Sequence, residues 1–233
     1  QDFQAPSREM KPDRFRTPVS IIVLAFNDAP TLPVLVPRLR NTLMGLTETF
    51  EIIVVDDGSS DETARTAGDL AERFAEVRLV AHERNKGVGA AFRTGFQASR
   101  HAVVGYIDGD NQYDAEDFTL LAGAIVEKAD MASGRRVRRA DPPSRRIVSH
   151  AFNWLLRKIY GTPLFDTNSG IKLYKRGLLE TAWPLMSSRA FFDAEILIKA
   201  THAGLQAVEV PVTHQPRRHG RALGVSPANL RDA

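Results

Sequence analysis

The sequence predicts an α/β protein with a central, mostly parallel sheet that carries helices on both faces. The first observation is a set of short apolar runs rich in β-branched residues, at 19–26, 50–57, 76–82 and 101–108. The second is a set of segments with helical period between these runs, at 32–43, 61–74 and 88–99. Near-continuous apolar strands that alternate with helices are typical of parallel sheets covered on both sides.

A third observation is the polar cluster that ends three of these four strands. The clusters read AFND at 25–28, VVDDGSSD at 54–61 and YIDGDNQYD at 106–114. Ligands bind outside the carboxyl ends of the strands in open parallel sheets. The sequence therefore predicts a binding site at this edge of the sheet.

The second half of the chain changes in character after residue 134. The segment 135–146 contains six arginines in twelve residues. We predict helices over 144–160 and 193–204 and a strand over 206–212, which complete the same domain and form the second wall of a cleft. The expected organisation is a flexible leader over 1–16, one domain over 17–226 and a tail over 227–233.

Composition sets limits on the class of protein. A chain of 233 residues with 43% hydrophobic and 25% charged residues is ordinary for a soluble domain. The absence of cysteine excludes disulfides, zinc–thiolate sites and cysteine nucleophiles. The uncharged stretch 17–27 is too short to span a bilayer. Because the chain begins without methionine, we expect it to be part of a longer protein.

The pair Asp108 and Asp110 is the most informative feature of the predicted site. Side chains at i and i+2 of an extended chain point the same way, so two like charges lie close together. That is costly unless a cation lies between them or one carboxyl stays protonated. With Gln112 the pair suits Mg²⁺ or Mn²⁺, whose remaining ligands come from substrate phosphates, and Gly109 lets a diphosphate approach the backbone. A solvated acidic loop and a catalytic acid–base pair are the alternatives.

The other two clusters also have a functional and a local interpretation. Asp57 is able to accept hydrogen bonds from a ribose hydroxyl or a base N–H. Locally, Ser59 and Glu62 have the spacing of a capping box, which predicts that a helix begins there. The glycine-rich segment 85–91 precedes a helix whose N-terminus is able to receive phosphate or ribose, but it lacks the third glycine of a dinucleotide fingerprint.

The arginine-rich segment is compatible with several partners. It lacks interleaved aromatic residues and lies in one loop, so we expect no nucleic-acid partner. A solvated loop and a lid that binds phosphate are the remaining interpretations, since the guanidinium fork matches phosphate oxygens. The helix that follows carries Phe152, Trp154, Leu155 and Ile159, which indicate either core packing or contact with a lipid surface.

Taken in order, these segments resemble the family 2 glycosyltransferases, and among them the dolichyl- or polyprenyl-phosphate sugar synthases such as dolichyl-phosphate mannosyltransferase. The resemblance runs from about residue 19 to 226 and rests on AFND, EIIVVDDGSSDET, NKGVGAAFRTGF, YIDGDNQYDAEDF, SGRR, RRIVSHAFNWLLRKIYG, DTNSGIKLYKR, FFDAEILIKA and VEVPV. It implies the nucleotide-sugar transferase (GT-A type) fold and transfer with inversion by direct displacement. The chain departs from the pattern at Pro227, where the family usually has lysine.

The resemblance also implies roles for individual residues. The implied metal ligands are Asp108, Asp110 and Gln112. The implied donor pocket consists of Ala25, Asn27, Asp57, Lys86, Asp108 and Gly109. The implied acceptor-phosphate site consists of Arg135, Arg145, Arg146 and Ser149. The implied catalytic set is Asp110, Arg135, Arg145, Asp193 and Glu195.

The predicted function is metal-dependent, inverting transfer of a hexose of the mannose or glucose type from a GDP- or UDP-sugar to polyprenyl phosphate. The nucleotide would bind the half at about 17–133 and the acceptor the half at about 134–226, at the cytoplasmic face of a membrane. A lipid phosphate needs no general base, whereas a sugar hydroxyl would need one, for which Asp193 is the candidate. The alternatives are a family 2 enzyme with a soluble or glycan acceptor and, more remotely, a sugar-phosphate nucleotidyltransferase.

Overall fold

One seven-stranded sheet organises the residues that this computed structural model describes, 15–137 and 143–217, with the backbone alone for 143–145. The strands are β1 (Val19–Ala25), β2 (Phe50–Asp56), β3 (Val77–Ala81), β4 (Val103–Asp108), β5 (Met131–Arg136), β6 (Ile171–Lys175) and β7 (Ala207–Val212). The helices are α1 (Leu32–Leu46), α2 (Thr63–Arg73), α3 (Val88–Ala98), α4 (Phe118–Val126), α5 (Pro143–Tyr160), α6 (Arg176–Ala182) and α7 (Phe192–His202).

The strand order across the sheet is β3-β2-β1-β4-β6-β5-β7. The strands β1 to β4 pair in parallel, and a helix follows each of the first three. Strand β6 runs antiparallel to both β4 and β5, whereas β7 is parallel to β5. The predicted α/β fold with a mostly parallel sheet is confirmed.

Helices cover both faces of the sheet, as predicted. On one face α1, α2 and α4 pack against the strands, with Leu39 and Phe118 fully buried among them. On the other face α3, α6 and α7 pack around Phe92 and Leu197. Since both sides of the sheet are covered, its central strands are almost entirely apolar.

Two strands, β5 and β6, lie outside the predicted set. Small and charged residues make up β5 (MASGRR), and two lysines interrupt the apolar pattern of β6 (IKLYK). Period-based prediction depends on contiguous apolar residues, which neither segment has. The antiparallel pairing of β6 follows from its contacts with β4 and β5, which are distant in sequence.

The predicted helix start at Ser59 and Glu62 is wrong. Helix α2 begins at Thr63, after Glu62, which makes no side-chain capping bond. The Ser59 hydroxyl instead hydrogen-bonds the Asp56 carboxylate and accepts a bond from the Asn27 amide at 2.9 Å. A partner from another loop therefore takes the group that a local cap would use.

The division into leader, domain and tail stays a prediction, since residues 1–14 and 218–233 lie outside the described residues. Of the predicted leader, Phe15 and Arg16 are described, and Phe15 is buried in the core on the face that α1, α2 and α4 cover. No described helix is long and apolar enough to cross a membrane.

Candidate active site

The carboxyl ends of β1, β2 and β4 meet at one edge of the sheet. The Asp57 amide donates to the Ala25 carbonyl at 2.9 Å, and the Gly109 amide donates to the Leu24 carbonyl at 2.8 Å. These bonds continue the strand pairing into the loops, so the three polar clusters become neighbours. The convergence predicted from the strand pattern is confirmed.

Two carboxylates follow β4 at this edge. Asp108 is half-buried and Asp110 is only 7% exposed. Asp110 accepts a bond from the Gln112 amide at 3.1 Å and forms an ion pair with Arg217 at 2.5 Å. Burial and the charges of Asp110 and Asp193 raise the pKa of Asp108 well above its ordinary value. Burial also raises the pKa of Asp110, against the opposing charge of Arg217.

A third carboxylate, Asp28, joins this edge from the loop after β1. It is 8% exposed and accepts a bond from the Phe26 amide at 3.0 Å. Burial is the main cause that raises its pKa to about 7, and the charge of Asp110 raises it further. A Cβ on Gly109 would lie 2.9 Å from Asp28 Oδ2, so glycine is needed for this close approach. Asp28 is not among the site residues predicted from the sequence. It is the last residue of the AFND cluster, so its place after β1 was the one sign of its role.

The donor set at this edge fits a hard divalent cation. It consists of oxygen atoms, which Mg²⁺ and Mn²⁺ prefer. Directly after Asp110, the buried Oδ1 atom of Asn111 has no hydrogen-bond partner among the described residues. No group of three acidic or histidine side chains within 15–137 and 146–217 is placed to form an all-protein metal cage. A site of this kind leaves coordination positions for substrate phosphates.

Gln112 lies beside the acidic pair and ties it to the segment after β7. Its side-chain amide donates to the Gln215 carbonyl at 2.8 Å, and its own carbonyl accepts from the Gln215 amide at 2.8 Å. Arg217, two residues further on, donates to the Gln112 side chain at 3.4 Å as well as to Asp110. The structure thus brings Asp108, Asp110 and Gln112 together, and Arg217 is an addition that sequence patterns did not indicate.

The predicted nucleotide residues lie on the other side of the acidic pair. The Asp57 carboxylate accepts from the backbone amides of Lys86 at 2.9 Å and Gly87 at 2.8 Å, and contacts His82 Nδ1 at 2.7 Å. A carboxylate offers about four acceptor positions, so the loop before α3 occupies most of them. The Lys86 residue is exposed while its backbone is held.

Asn27 has a left-handed backbone with φ of 56°. Its side-chain oxygen accepts from the Ser60 amide at 2.9 Å, which joins the β1 and β2 loops. Asparagine tolerates this conformation better than most residues. Asn27 and Ala25 are therefore both bonded to the segment after β2, Asn27 through its side chain and Ala25 through its carbonyl.

The N-terminus of α3 is closed by another loop of the same chain. The amides of Gly89 and Ala90 both donate to the Ser188 carbonyl, at 2.9 and 3.2 Å. Gly87 has φ of 93° and would not accept a side chain beside Ser188. These amides are the groups that a phosphate would otherwise use, so the glycine-rich segment serves packing here.

An aromatic ring between two arginines marks the opposite wall. The guanidinium carbon of Arg135 lies 5.1 Å from the ring centre of Phe165, and that of Arg157 lies 4.0 Å from it. The side chain of Arg135 is 51% exposed and has a distant carboxylate partner in Glu209 at 3.9 Å. Arg135 on β5 and Arg157 on α5 are thus neighbours through one half-exposed ring.

The remaining predicted acceptor residues lie on α5. Ser149 is held by Asn153, whose amide donates to the Ser149 carbonyl at 2.8 Å and to its hydroxyl at 3.4 Å. Asn153 also accepts from the Thr167 amide at 2.9 Å, which fixes α5 to the loop before β6. Arg146 is exposed, and the side chain of Arg145 lies outside the described residues.

The two predicted acids of α7 point to different surroundings. Asp193 is 5% exposed, and both its oxygens lie 2.8 Å from the Tyr106 hydroxyl. Glu195 accepts from the amides of Met186 and Ser187 at 2.9 and 2.8 Å, and from Lys199 at 2.7 Å. The pKa of Glu195 falls below its ordinary value because these bonds outweigh its burial. Glu195 thus holds the loop at 186–187, and only Asp193 reaches the β4 edge.

Sequence comparison places the chain in a family. The profile of glycosyl transferase family 2 matches residues 20–183, which include the acidic pair and the loops around it. The chain belongs to glycosyl transferase family 2. The family match ends before α7, which carries Asp193 and Glu195.

Curated relatives of this family 2 domain include three named proteins. The undecaprenyl-phosphate 4-deoxy-4-formamido-L-arabinose transferase of Pseudomonas aeruginosa is 30% identical, over 88% of this chain and 59% of that protein. The dodecaprenyl-phosphate galacturonate synthase of Rhizobium johnstonii is 28% identical, over 87% and 60%. The polyprenol monophosphomannose synthase of Mycolicibacterium smegmatis is 30% identical, over 91% and 83%. The chain spans about three fifths of the length of the first two.

Solved structures of glucosyl-3-phosphoglycerate synthase from Mycobacterium tuberculosis share the fold of this family 2 domain. The complex with phosphoglyceric acid has a TM-score of 0.72 and 22% identity, over 88% of this chain and 73% of that chain. The complex with Mn²⁺, uridine diphosphate and glucosyl-3-phosphoglycerate has a TM-score of 0.71 and 20% identity, with the same coverage. The predicted nucleotide-sugar transferase fold is confirmed.

Proposed function

We propose that this chain is the catalytic domain of a metal-dependent, inverting glycosyltransferase that moves a hexose from a nucleotide diphosphate sugar to polyprenyl phosphate. The observation that carries the proposal is the acidic pair at the carboxyl end of β4, in which Asp108 is half-buried and Asp110 is buried. Burial disfavours the ionised form of both carboxylates in the ligand-free protein and raises their pKa, and the charge of Asp110 adds to this effect at Asp108. A divalent cation removes that penalty, which makes the edge selective for a metal-bound diphosphate.

Asp108, Asp110 and Gln112 would hold Mg²⁺ or Mn²⁺ on the donor diphosphate. The metal, when bound, neutralises charge that develops on the leaving diphosphate. The nucleotide would lie along Ala25, Asn27, Asp57, Lys86 and Gly109, with the exposed lysine free to approach a phosphate. Asp57 contributes by holding the Lys86 backbone in place. The choice between GDP and UDP stays open in this proposal.

The acceptor phosphate would bind the opposite wall of the site. The residues proposed to bind it are Arg135 from β5 and Arg145, Arg146 and Ser149 from α5. A phosphate oxygen attacks the anomeric carbon while the bond from that carbon to the donor diphosphate breaks. The nucleotide diphosphate leaves with the bonding electron pair, and inversion follows from attack opposite the leaving group. The attacking oxygen is already ionised at neutral pH, so the step needs no proton acceptor.

The surroundings of Asp193 favour an ionised acceptor over a hydroxyl. Asp193 is 5% exposed and forms an ion pair with the buried Lys172 at 3.1 Å. A general base must reach the proton that it removes, and a carboxylate held by two core groups is poorly placed for this. Asp193 would therefore act through its charge near Asp108.

Helix α5 supports a membrane surface as the place of reaction. Several large apolar side chains on it are exposed: Ile147, Val148, Trp154, Leu155, Ile159 and Tyr160. Its sequence contains arginine, lysine and histidine but no acidic residue. An exposed apolar stripe flanked by cations is typical of helices that lie on anionic lipid surfaces. The proposed location is the cytoplasmic face of a membrane.

The names of the relatives give further support for the acceptor class. All three contain a polyprenol or polyprenyl-type phosphate, whereas their sugars are formamido-arabinose, galacturonate and mannose. The acceptor is thus the common element among them. The sugar proposed for this chain is a hexose of the mannose or glucose type, and the variety among the relatives' sugars leaves that part of the proposal to the transfer experiment.

Transfer in vitro tests the proposal. The protein is incubated with Mn²⁺, a panel of GDP- and UDP-hexoses and a short polyprenyl phosphate in detergent, and the product is detected by mass spectrometry. The expected result is a glycosyl phospholipid that forms with the phosphate and not with the matching free prenol. Turnover of a soluble acceptor without lipid phosphate would contradict the acceptor assignment. Release of pyrophosphate from a nucleoside triphosphate would instead indicate a sugar-phosphate nucleotidyltransferase and contradict the proposed glycosyl transfer.

Vesicle flotation tests the membrane surface separately. Trp154→Glu on α5 should reduce binding to vesicles that contain anionic lipid. Met44→Glu is the matched control, because Met44 is an apolar side chain of α1 that is 55% exposed, close to the 54% of Trp154. Equal binding of both variants to these vesicles would contradict the proposal that α5 contacts the membrane.

A further inference from the structure

A lysine lies in the core directly behind the acidic edge. Lys172 on β6 is 0% exposed. The antiparallel register places it opposite Tyr106 of β4, so the two side chains share one face of the sheet. The Lys172 ammonium lies 2.8 Å from the Tyr106 hydroxyl and 3.1 Å from Asp193 Oδ1, and it also contacts the Ser169 carbonyl. Its hydrogen-bonding capacity is thus used within the protein.

The cluster of Lys172, Tyr106 and Asp193 connects α7 to β4, the strand that ends in Asp108. Asp193 reaches down from the first turn of α7, and its carboxylate meets Tyr106 and Lys172 from two adjacent strands. Tyr106 is two residues before Asp108 on β4, so both side chains point to the same face. The position of Asp193 relative to Asp108 is therefore set by one short stretch of strand and one ion pair.

Stability alone does not account for a charged residue here. Buried ion pairs are frequently no more stabilising than hydrophobic residues of similar volume, because both charges lose their hydration. The next residue of β6 on the same face, Tyr174, packs in the apolar cluster with Phe92. A methionine at position 172 would suit Tyr174 and Phe92 but would leave the buried Asp193 carboxylate without its cation, so the lysine is matched to Asp193 rather than to the apolar cluster.

We propose that Lys172 is a positioning residue that fixes the Asp193 carboxylate behind Asp108 at the reaction centre. The part that concerns the reaction rests on the proposed function, whereas the part that concerns Asp193 does not. Lys172 touches neither substrate in this arrangement. It acts through Asp193, and Tyr106 shares the task.

The charge of Lys172 also affects the ionisation of Asp193. Burial raises the pKa of Asp193, and the Lys172 charge opposes that rise. The titratable groups that face Asp193 or act on it come from β4, β6 and the loop before β6: Tyr106, Asp108, Asp166, Lys172 and Tyr174. Lys172 is the one cation in this set, so its removal should raise the pKa of Asp193 further.

The first experiment follows the Asp193 carboxyl directly. Carboxyl ¹³C resonances are titrated in EDTA for the wild type, Lys172→Met and Lys172→Arg, and Asp193→Asn identifies the resonance. An opposite charge in contact lowers a carboxyl pKa by about 1 to 3 units, so Lys172→Met should raise the midpoint by at least about one unit. Lys172→Arg should keep it near the wild-type value. An unshifted midpoint in Lys172→Met overturns the proposal.

The second experiment separates positioning from a purely structural role. Donor turnover is measured with Mn²⁺, both as transfer and as slow hydrolysis without acceptor. Misplacement of a catalytic group by about 1 Å costs on the order of a hundredfold, so kcat should fall by about that factor in Lys172→Met while KM for the donor stays unchanged. Lys172→Arg should recover part of kcat.

Tyr174→Phe is the matched control for both experiments. It changes the same face of the same strand, and the Tyr174 hydroxyl has no hydrogen-bond partner among the described residues. Both readouts should match the wild type. A loss of kcat in Tyr174→Phe equal to that in Lys172→Met would show general damage to the core and overturn the assignment.

The remaining outcomes are also decisive. A shifted midpoint with unchanged kcat overturns the role in the reaction. If Lys172→Met does not fold, Tyr106→Phe replaces it, since it removes only the hydroxyl that holds Asp193, and an unchanged kcat overturns the proposal. If the wild type turns over no donor, the proposed function fails, while the titration still decides whether Lys172 governs Asp193.

Discussion

We expect Asp28→Asn to stabilise the ligand-free protein at neutral pH by an amount that depends on pH. Asp28 is 8% exposed, and its pKa is raised to about 7 from 3.8, mainly by burial and in part by the charge of Asp110. Asparagine has nearly the same shape and keeps an oxygen for the bond from the Phe26 amide at 3.0 Å. The substitution therefore removes a buried charge and little else.

The sign and size follow from proton linkage. Between the unfolded pKa of 3.8 and the folded pKa of about 7, the unfolded chain releases the proton while the folded chain keeps it. The free energy of unfolding of the wild type therefore falls as pH rises through this window. At about 1.4 kcal/mol for each pKa unit, the loss from this residue approaches about 4 kcal/mol above pH 7.

Urea unfolding of the wild type and Asp28→Asn in EDTA, at several pH values from 4 to 8.5, measures this difference. The variant should gain stability relative to the wild type with each step of pH and reach a plateau above about pH 7. Asp69→Asn on α2 is the control, because its side chain is 65% exposed and it gives the effect of the same substitution at the surface.

A difference between Asp28→Asn and the wild type that stays constant over this pH range would refute the reasoning. It would mean that the folded protein does not hold a protonated Asp28 carboxyl at the edge of the sheet. The assignment of a third buried acid beside Asp110 would then be withdrawn. A variant that loses stability relative to the wild type as pH rises from 4 would refute it equally, because the sign would be reversed.

Three further predictions concern the site and its walls. Asp110→Asn should abolish Mn²⁺-dependent binding of GDP or UDP in calorimetry while circular dichroism stays unchanged; binding that is indifferent to EDTA in the wild type would contradict this. Arg145→Ala should raise KM for polyprenyl phosphate by about 10- to 100-fold, the worth of a charge-assisted hydrogen bond, with little change in KM for the donor. Arg136→Ala should cost about 3 to 5 kcal/mol in urea unfolding, because it removes the guanidinium that pairs with the buried Asp166 carboxylate at 2.7 Å. The exposed Arg65→Ala is the control for that measurement, and equal losses would contradict it.

Strand ends were the part of the site that could be predicted from local pattern. Each cluster follows a contiguous apolar run, and the parallel arrangement of such runs brings their carboxyl ends together. Asp108, Asp110 and Gln112 are within five residues of one another, so their proximity needs no knowledge of the fold. Their roles as metal ligands stay predictions.

Neighbouring arginines of β5 differ in burial, which the sequence alone did not indicate. Arg135 and Arg136 are adjacent on β5, yet Arg135 is half-exposed beside Phe165 while Arg136 forms a buried pair with Asp166. Alternation along a strand sends neighbours to opposite faces. Which face is buried depends on β6 and β7, and β6 shows no apolar pattern of its own.

The sequence by itself determined the α/β class, the edge of the sheet where the site lies and the family to which the chain belongs, because these depend on contiguous patterns. Only the tertiary structure decided that Asp28 joins the acidic pair and that Lys172 meets Asp193. These partners are separated by long stretches of chain. The register of β4 against β6 places Lys172 beside Tyr106, and the Tyr106 hydroxyl donates to Asp193 of α7. Such contacts arise from packing between elements, which local periodicity does not encode.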